Sequence, residues 1–129
     1  MTVALSELAK RLIDADTFAT LATVNPNGSP QSSVVWVKRD GDDVVFSTIL
    51  GRRKTRNMQR EPRVSLTLFD PANPYQYVEV RGEVTMTEQG GPELIQELSQ
   101  RYTGGPFTEH DPASVRVVCR VTPAKVFSR

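Results

Sequence analysis

The feature that most constrains the fold is a succession of short segments in which apolar and polar side chains alternate. Alternation with a period of two is the pattern of a half-buried β-strand. It predicts six strands, over residues 17–24, 32–38, 44–48, 64–69, 75–87 and 115–121, with a seventh at 125–127 if the chain resumes after Pro123. Parallel strands would need a helical crossover between nearly every pair, whereas most of these segments are joined by short turns. The order therefore favours a closed or nearly closed antiparallel barrel.

Turn and bend signals support this pairing. The Asn-Gly pair at 27–28 supplies the positive φ angles of a tight reversal, and residues 39–42 turn the second strand back against the third. Gly82 interrupts the long strand 75–87, which indicates a bulge or bend, and Pro123 is expected to break the last strand.

Three segments have helical character and are expected at the periphery of the barrel. Residues 5–13 carry apolar side chains at the spacing of one helix face. Residues 51–59 are rich in straight-chain side chains, and residues 91–102 begin with a proline in the first turn and end before Gly104. The fold class expected from the residues is thus mainly β, with six or seven antiparallel strands and three helices.

Composition limits the class of protein. The chain has 129 residues, of which 38% are hydrophobic and 24% charged, as in an ordinary globular protein, so we expect one domain spanning 1–129. No apolar run approaches the ~20 residues that cross a bilayer, and the N-terminus lacks a signal-peptide pattern, so we expect a cytoplasmic protein without a membrane partner. One cysteine and one histidine exclude a disulfide framework and a Cys/His zinc site, and we expect no metal.

The charge is unevenly distributed, and this points to a localised anion. The net charge is only +1, yet residues 52–63 hold six basic side chains against Glu61. Arg52, Arg53 and Lys54 fall in the first turn of a predicted helix, where the helix dipole disfavours cations unless an anion binds there. Ser47 and Thr48, at the end of the preceding strand, could add hydroxyl donors.

Two alternatives to an anion site remain open at this point. The basic residues could form a solvated helix surface with no ligand, or a patch that binds nucleic acid. The nucleic-acid alternative is disfavoured because no aromatic side chains are interleaved with the basic ones as stacking platforms.

Few other residues indicate chemistry. Trp36 could pack in the core or face a planar ligand, and the Tyr75-Gln76-Tyr77 run suits either a ring system or an interface. Cys119, on the apolar side of a strand, is expected to be buried and inert, and no phosphate-binding loop, dinucleotide fingerprint or Ser/His/Asp set is present. No residue stands out as an obligatory acid or base, so we name none as catalytic.

The order of motifs resembles a known family over nearly the whole chain. The segments are Ser-Val-Val-Trp-Val-Lys at 33–38, Phe-Ser-Thr at 46–48, Gly-Arg-Arg-Lys at 51–54, Glu-Pro-Arg-Val at 61–64 and Tyr-Gln-Tyr-Val-Glu-Val-Arg-Gly at 75–82. This set resembles the pyridoxamine 5'-phosphate oxidase-like family of flavin-binding split barrels. It is most similar to the short branch that uses the deazaflavin coenzyme F420 instead of FMN.

The resemblance implies a cofactor site and a homodimer. It implies that the cofactor ring is lined by one strand, through Ser33, Val34, Val35, Trp36 and Lys38, and that Ser47 and Thr48 lie beside the ribityl chain. It also implies that Arg53 and Lys54 bind the phosphate, with Arg52 as the alternative basic residue. Gln76 and Tyr77 would be contributed by the second protomer. The Arg-x-His element by which the vitamin oxidases hold their substrate phosphate is missing before Arg129. We therefore do not expect pyridoxamine 5'-phosphate oxidation.

The expected function is that of an oxidoreductase. Reduced F420 would pass a hydride to an electron-poor small-molecule substrate at the dimer cleft. The alternatives are an FMN-dependent oxidoreductase of the same fold and a non-catalytic flavin- or deazaflavin-binding module. Arg56, Arg60 and Arg63 exceed what one phosphate needs, which favours the longer, acidic tail of F420 over FMN.

Overall fold

The computed structural model describes residues 1–129 and contains seven strands and three helices. The strands are β1 (Ala19–Val24), β2 (Pro30–Val35), β3 (Val37–Asp40), β4 (Asp43–Ile49), β5 (Arg63–Asp70), β6 (Asn73–Thr87) and β7 (Arg116–Ser128). The helices are α1 (Glu7–Asp14), α2 (Arg53–Arg60) and α3 (Gly91–Thr103). The helices lie within two residues of their expected positions. The count of seven strands agrees with the upper expectation, but the seventh arises from a division of the expected strand 32–38, and 125–127 belongs to β7.

All seven strands form one antiparallel sheet in the order β2-β1-β5-β6-β7-β4-β3. The two edge strands, β2 and β3, are consecutive in the chain and are separated only by Trp36. The sheet therefore curls until its first and last strands adjoin, and the fold is the expected split barrel.

The prediction of one strand over 32–38 was wrong. Its first half pairs with β1, as in Thr20↔Val34, and its second half pairs with β4, as in Val37↔Phe46. The strand is interrupted because Tyr102 of α3 takes over the backbone hydrogen bonding there. The Tyr102 hydroxyl accepts from the Val37 amide at 3.0 Å and lies 2.9 Å from the Val37 carbonyl oxygen. Alternation cannot reveal such a change of partner, since the period of two continues through it.

The predicted break at Pro123 was also wrong, while the irregularity at Gly82 is confirmed. Strand β7 runs through Pro123, and the register shifts between Arg81↔Lys125 and Gly82↔Pro123, which leaves Ala124 as the extra residue of a bulge. A side chain at Gly82 could not fit, because a Cβ there would lie 2.1 Å from the Thr122 carbonyl oxygen. The bulge accommodates the proline where a regular ladder would need its missing N–H.

The inner face of the sheet and one face of α1 form the main core. Ser6 caps α1 by accepting from the Ala9 amide at 3.2 Å, and Leu12 and Ile13 are buried among the 20 side chains of this core. Helix α3 packs on the outside through Leu94 and Leu98, in a smaller cluster that also includes Trp36 and Tyr102. None of the three helices is long and apolar enough to cross a membrane.

Candidate functional site

Helix α2 begins without any of the usual stabilising features. Gly51 precedes it with φ +96°, Arg52 is the N-cap residue and makes no capping hydrogen bond, and the first turn has no acidic side chain. The free N–H groups at this end and the helix dipole both favour a bound anion.

A buried pair of threonines fixes this helix to the sheet. The Thr48 and Thr55 hydroxyl oxygens are 2.9 Å apart, and Thr55 also donates to the Ile49 carbonyl at 2.7 Å. Both threonines are fully buried. Thr48, predicted as a cofactor contact, therefore holds α2 against β4, and it is not among the residues that line the cavity described next.

A cavity of about 210 Å³ opens beside this helix end. It lies between α3 and the seam of the barrel, which is the point at Trp36 where the edge strands β2 and β3 adjoin. Six of the sequence-predicted site residues line it: Val34, Val35, Trp36, Ser47, Arg52 and Lys54. It is completed by five residues that the sequence analysis did not single out: Phe18, Ile95, Leu98, Phe107 and Arg116. The structure thus brings together the seam residues and the start of the basic helix.

The side of the cavity next to α2 is cationic, and the Arg52 charge also helps to lower the pKa of the nearby Glu109 carboxyl. Arg52 and Lys54 form no ion pair, and the Lys54 ammonium donates to the Ser33 hydroxyl at 3.3 Å. Burial lowers the pKa of Lys54, and the Arg52 charge lowers it further. Two cations close enough to disfavour each other's charge bind an anion favourably.

The other end of the cavity is aromatic. The Trp36 and Tyr102 rings are stacked at 5.5 Å with an interplanar angle of 14°, and the Phe107 ring meets Trp36 at 89° and 6.4 Å. Trp36 packs against α3 and also lines the cavity, and that it faces a planar ligand stays a prediction. A planar group could lie beside these rings.

Arg116 is a prominent cavity residue that sequence reasoning missed. Its side chain is 7% exposed, and the Glu109 carboxylate accepts from its Nε at 2.6 Å and from its Nη2 at 3.0 Å. The guanidinium lies 4.8 Å from the Phe107 ring centroid and donates to the Ser47 hydroxyl at 3.4 Å. The hydrogen bonds from Arg116 lower the pKa of Glu109. The sequence signal that could have found Arg116 is an arginine at the start of an alternating strand, with an acidic loop shortly before it in the chain.

Four other predicted residues lie away from the cavity. Lys38 is paired with Glu97 at 2.8 Å on the outside of α3. Arg53 lines a depression beside the turn at 25–27, so that of the three basic residues at the start of α2 only Arg52 and Lys54 line the cavity. Gln76 is exposed and accepts from Arg11 at 3.4 Å, and the Tyr77 ring packs 5.9 Å from Phe127.

The arginines beyond those that one phosphate needs differ in whether another group of the protein already binds them. Arg63 is held by Glu61 at 2.7 Å, and Arg60 donates to the Val24 carbonyl. Arg53 and Arg56 form no ion pair. The free cations near α2 are therefore Arg52, Arg53, Lys54 and Arg56.

Neither a reactive thiol nor a metal cluster accompanies the cavity. Cys119 is fully buried, and burial raises the pKa of its thiol to about 12. No group of three or more His, Cys, Asp or Glu side chains is placed to hold a metal ion.

Comparison with known proteins places the chain in a family. The sequence model described as pyridoxamine 5'-phosphate oxidase matches residues 5–129. A solved structure named as an F420 reductase is 36% identical, with 92% of this chain and 94% of that chain covered and a TM-score of 0.82. A conserved hypothetical protein from Mycobacterium tuberculosis is 26% identical over 98% of this chain and 85% of its own, with a TM-score of 0.75.

More distant structures share the fold. A pyridoxamine 5'-phosphate oxidase-related, FMN-binding protein from Nostoc punctiforme is 15% identical over 91% of this chain and 76% of its own, with a TM-score of 0.62. Among curated proteins, none matches the sequence significantly. Because the family match spans nearly all of the fold described above, the chain belongs to the pyridoxamine 5'-phosphate oxidase family.

Proposed function

We propose that this protein is an oxidoreductase that binds coenzyme F420 at the cavity and reduces an electron-poor small molecule. The observation that carries the proposal is the pair of unpaired cations, Arg52 and Lys54, set at a free helix N-terminus beside an aromatic wall. The 36% identity to a structure named as an F420 reductase supports the choice of cofactor class.

The donor set fits a phosphorylated flavin or deazaflavin. Lys54 and Arg52 would neutralise the phosphate together with the backbone N–H groups that begin α2. The Val34–Trp36 seam and Phe107 would position the ring, and Ser47 would donate a hydroxyl between these two regions. When bound, reduced F420 supplies a hydride to the substrate.

The polypeptide contributes binding, orientation and exclusion of water. No residue is assigned as an acid or base in this proposal: Lys54 is given to the phosphate, Glu109 beside the cavity is held ionised by Arg116, and the Cys119 thiol is buried with a raised pKa. The proton that accompanies the hydride is therefore taken from solvent in this proposal.

A homodimer is part of the proposal. Gln76 does not line the cavity of its own chain, so the role implied for it requires a second copy. Several large apolar side chains near Gln76 are exposed, including Phe69 (52%), Tyr75 (83%) and Phe127 (45%). Contiguous exposed apolar surface of this kind is typical of a protein–protein interface. A sedimentation mass of one chain would contradict this part.

The choice between F420 and FMN rests on the free arginines. Arg53 and Arg56 lie beyond the cavity without carboxylate partners, where an acidic tail longer than one phosphate could reach them. Arg60 and Arg63 are already engaged and no longer support that argument. FMN remains the second candidate, because a structural relative is named as an FMN-binding protein.

A parallel fluorescence titration with F420 and FMN tests the proposal. We expect tighter binding of F420, and Lys54→Ala should weaken it about 10- to 100-fold, since hydrogen bonds to charged groups contribute about 1.5–3 kcal/mol. Lys10→Ala, which removes a cation from α1, is the matched control and should bind as the wild type does.

Each other result has a defined meaning. Preference for FMN would transfer the proposal to the flavin cofactor, and binding of neither would refute it. Binding of reduced F420 without its oxidation by quinone or nitroaromatic acceptors would favour a non-catalytic binding module.

A further inference from the structure

The segment 104–115, between α3 and β7, supplies the one carboxylate that pairs with a cation of the cavity. Glu109 holds Arg116 through two hydrogen bonds, at 2.6 and 3.0 Å, whereas Arg52 and Lys54 have no carboxylate partner. The Glu109 side chain is 24% exposed, so it reaches the buried guanidinium from the solvent side. It occupies the place beside the cavity cations that an external anion would take.

Apart from the Glu109–Arg116 pair, this segment is attached through Phe107, which packs on Trp36 and Arg116, through a hydrogen bond from the Leu50 amide to the Val115 carbonyl at 3.0 Å, and through side chains of α3. The Gln96 side chain donates to the Phe107 carbonyl at 2.7 Å and accepts from its amide at 3.0 Å, and the Ser99 hydroxyl donates to Gly105 at 2.8 Å. The segment contains no helix or strand. An irregular segment that is attached mostly by side-chain contacts opens at a lower free-energy cost than a helix or strand of the sheet does.

Arg116, by contrast, needs an anionic partner at all times. Its side chain is 7% exposed, and a buried charge left without its partner is strongly destabilising. The Glu109 carboxylate can therefore leave Arg116 only if another anion replaces it.

We propose that Glu109 is an internal substitute for the ligand's anionic group. Arg116 is then a third cation of the anion site, which the ligand-free protein keeps paired. When a phosphate-sized anion enters, it replaces Glu109 on Arg116 and segment 104–115 is released. Because Phe107 belongs to this segment, anion binding at the basic side of the cavity also exposes the aromatic side. This rests on the proposed function only in that the cavity binds an anion, and it is independent of which cofactor carries that anion.

Inorganic phosphate is the probe, and Trp36 is the reporter, because it is the single tryptophan and lines the cavity. We expect Glu109→Gln to bind phosphate about tenfold more tightly than the wild type. Asp111→Asn is the matched control: it removes the same charge from the same segment, and its side chain can still accept from the Ala113 amide as Asp111 does at 2.9 Å. Its affinity should stay within about twofold of the wild type.

Release of the segment is measured separately by chymotrypsin cleavage after Phe107. Phosphate should accelerate this cleavage in the wild type, and Glu109→Gln should be cleaved rapidly even without phosphate. Glu109→Asp, which keeps the charge but shortens the side chain, covers the case in which Glu109→Gln does not fold. It should also loosen the segment and bind phosphate more tightly than the wild type.

Three results would overturn the exchange. The first is an equal gain in phosphate affinity in the Glu109 and Asp111 variants. The second is a rate of cleavage after Phe107 that does not respond to phosphate, and the third is the absence of phosphate binding in every variant. If phosphate behaves as expected while neither F420 nor FMN binds, the cofactor proposal fails and the exchange stands. If F420 binds but the Glu109 variants match the wild type, the exchange alone fails.

Discussion

Helices α1 and α2 each have eight residues, yet their ends are built in opposite ways. In α1, Ser6 caps the first turn and Glu7 complements the helix dipole. In α2, Arg52 stands at the cap position without a capping hydrogen bond, and the first turn contains cations and no acidic residue. The first arrangement stabilises a helix by itself, and the second is favourable only with an anion present.

The difference separates stability from binding within one domain. Helix α1 buries Leu12 and Ile13 in the main core and has no side chain in the cavity. Helix α2 also contributes Met58 to that core, but its start faces the cavity through Arg52 and Lys54. Substitutions in α1 and at the start of α2 should therefore change different measured quantities.

The largest effect is expected from Leu12→Ala in α1. Leu12 is 2% exposed, and truncation of such a buried leucine costs about 2–5 kcal/mol of unfolding free energy. Denaturant unfolding measures this loss, and cofactor affinity of the folded fraction should match the wild type. A parallel loss of affinity would show that the two helices are not separate in function.

Arg52→Asp should reverse the arrangement at α2. An aspartate at the cap accepts from a free N–H group and complements the dipole, which should raise the unfolding free energy by about 1 kcal/mol. Anion affinity should fall at least tenfold because a cavity cation is replaced by a carboxylate. Ser6→Ala in α1 provides the converse, with about 1 kcal/mol of stability lost and affinity retained. Arg52→Asp with unchanged affinity would remove Arg52 from the site.

The smallest effect concerns pH. Because burial and the Arg52 charge lower the pKa of Lys54, this lysine loses its proton at a lower pH than an exposed lysine does. Phosphate affinity should therefore decline as pH rises toward that lowered pKa, and Lys54→Arg should flatten the decline. The stability of the free protein should rise between the lowered folded pKa and the higher unfolded pKa, since the unfolded chain binds the extra proton there. Identical affinity profiles for the wild type and Lys54→Arg would contradict the assignment.

Most of the fold was predictable because it rests on local patterns. Alternation placed the strands, helical spacing placed α1, and Gly82 marked the bulge. The change of partner at Trp36 was not predictable, since it depends on the Tyr102 hydroxyl, which lies 65 residues from Val37 in the chain. The continuity of β7 through Pro123 was missed because the bulge that permits it forms only against β6.

The positive charge of the site was predictable from the sequence, but the side chains that enclose the cavity were not. The cluster of cations without acids indicated an anion, and Lys54 and Arg52 do line one cavity. The side-chain directions of Lys38 and Thr48 depend on Glu97 and Thr55, which local alternation does not specify. Arg116 is covered in part by Glu109 and Phe107 of an irregular segment, and such segments have no periodicity to read.

The single-residue seam at Trp36 has a consequence for the order of folding. Strands β1 and β2 form one hairpin and β3 and β4 another, so residues 19–49 hold two hairpins joined by Trp36. Both close over short loops, whereas β5 and β7 must reach them from later in the chain. Short-range contacts cost less chain entropy and form faster. We therefore expect the side of the cavity around Trp36 to be shaped early in folding, and this tryptophan to report that event before the barrel is complete.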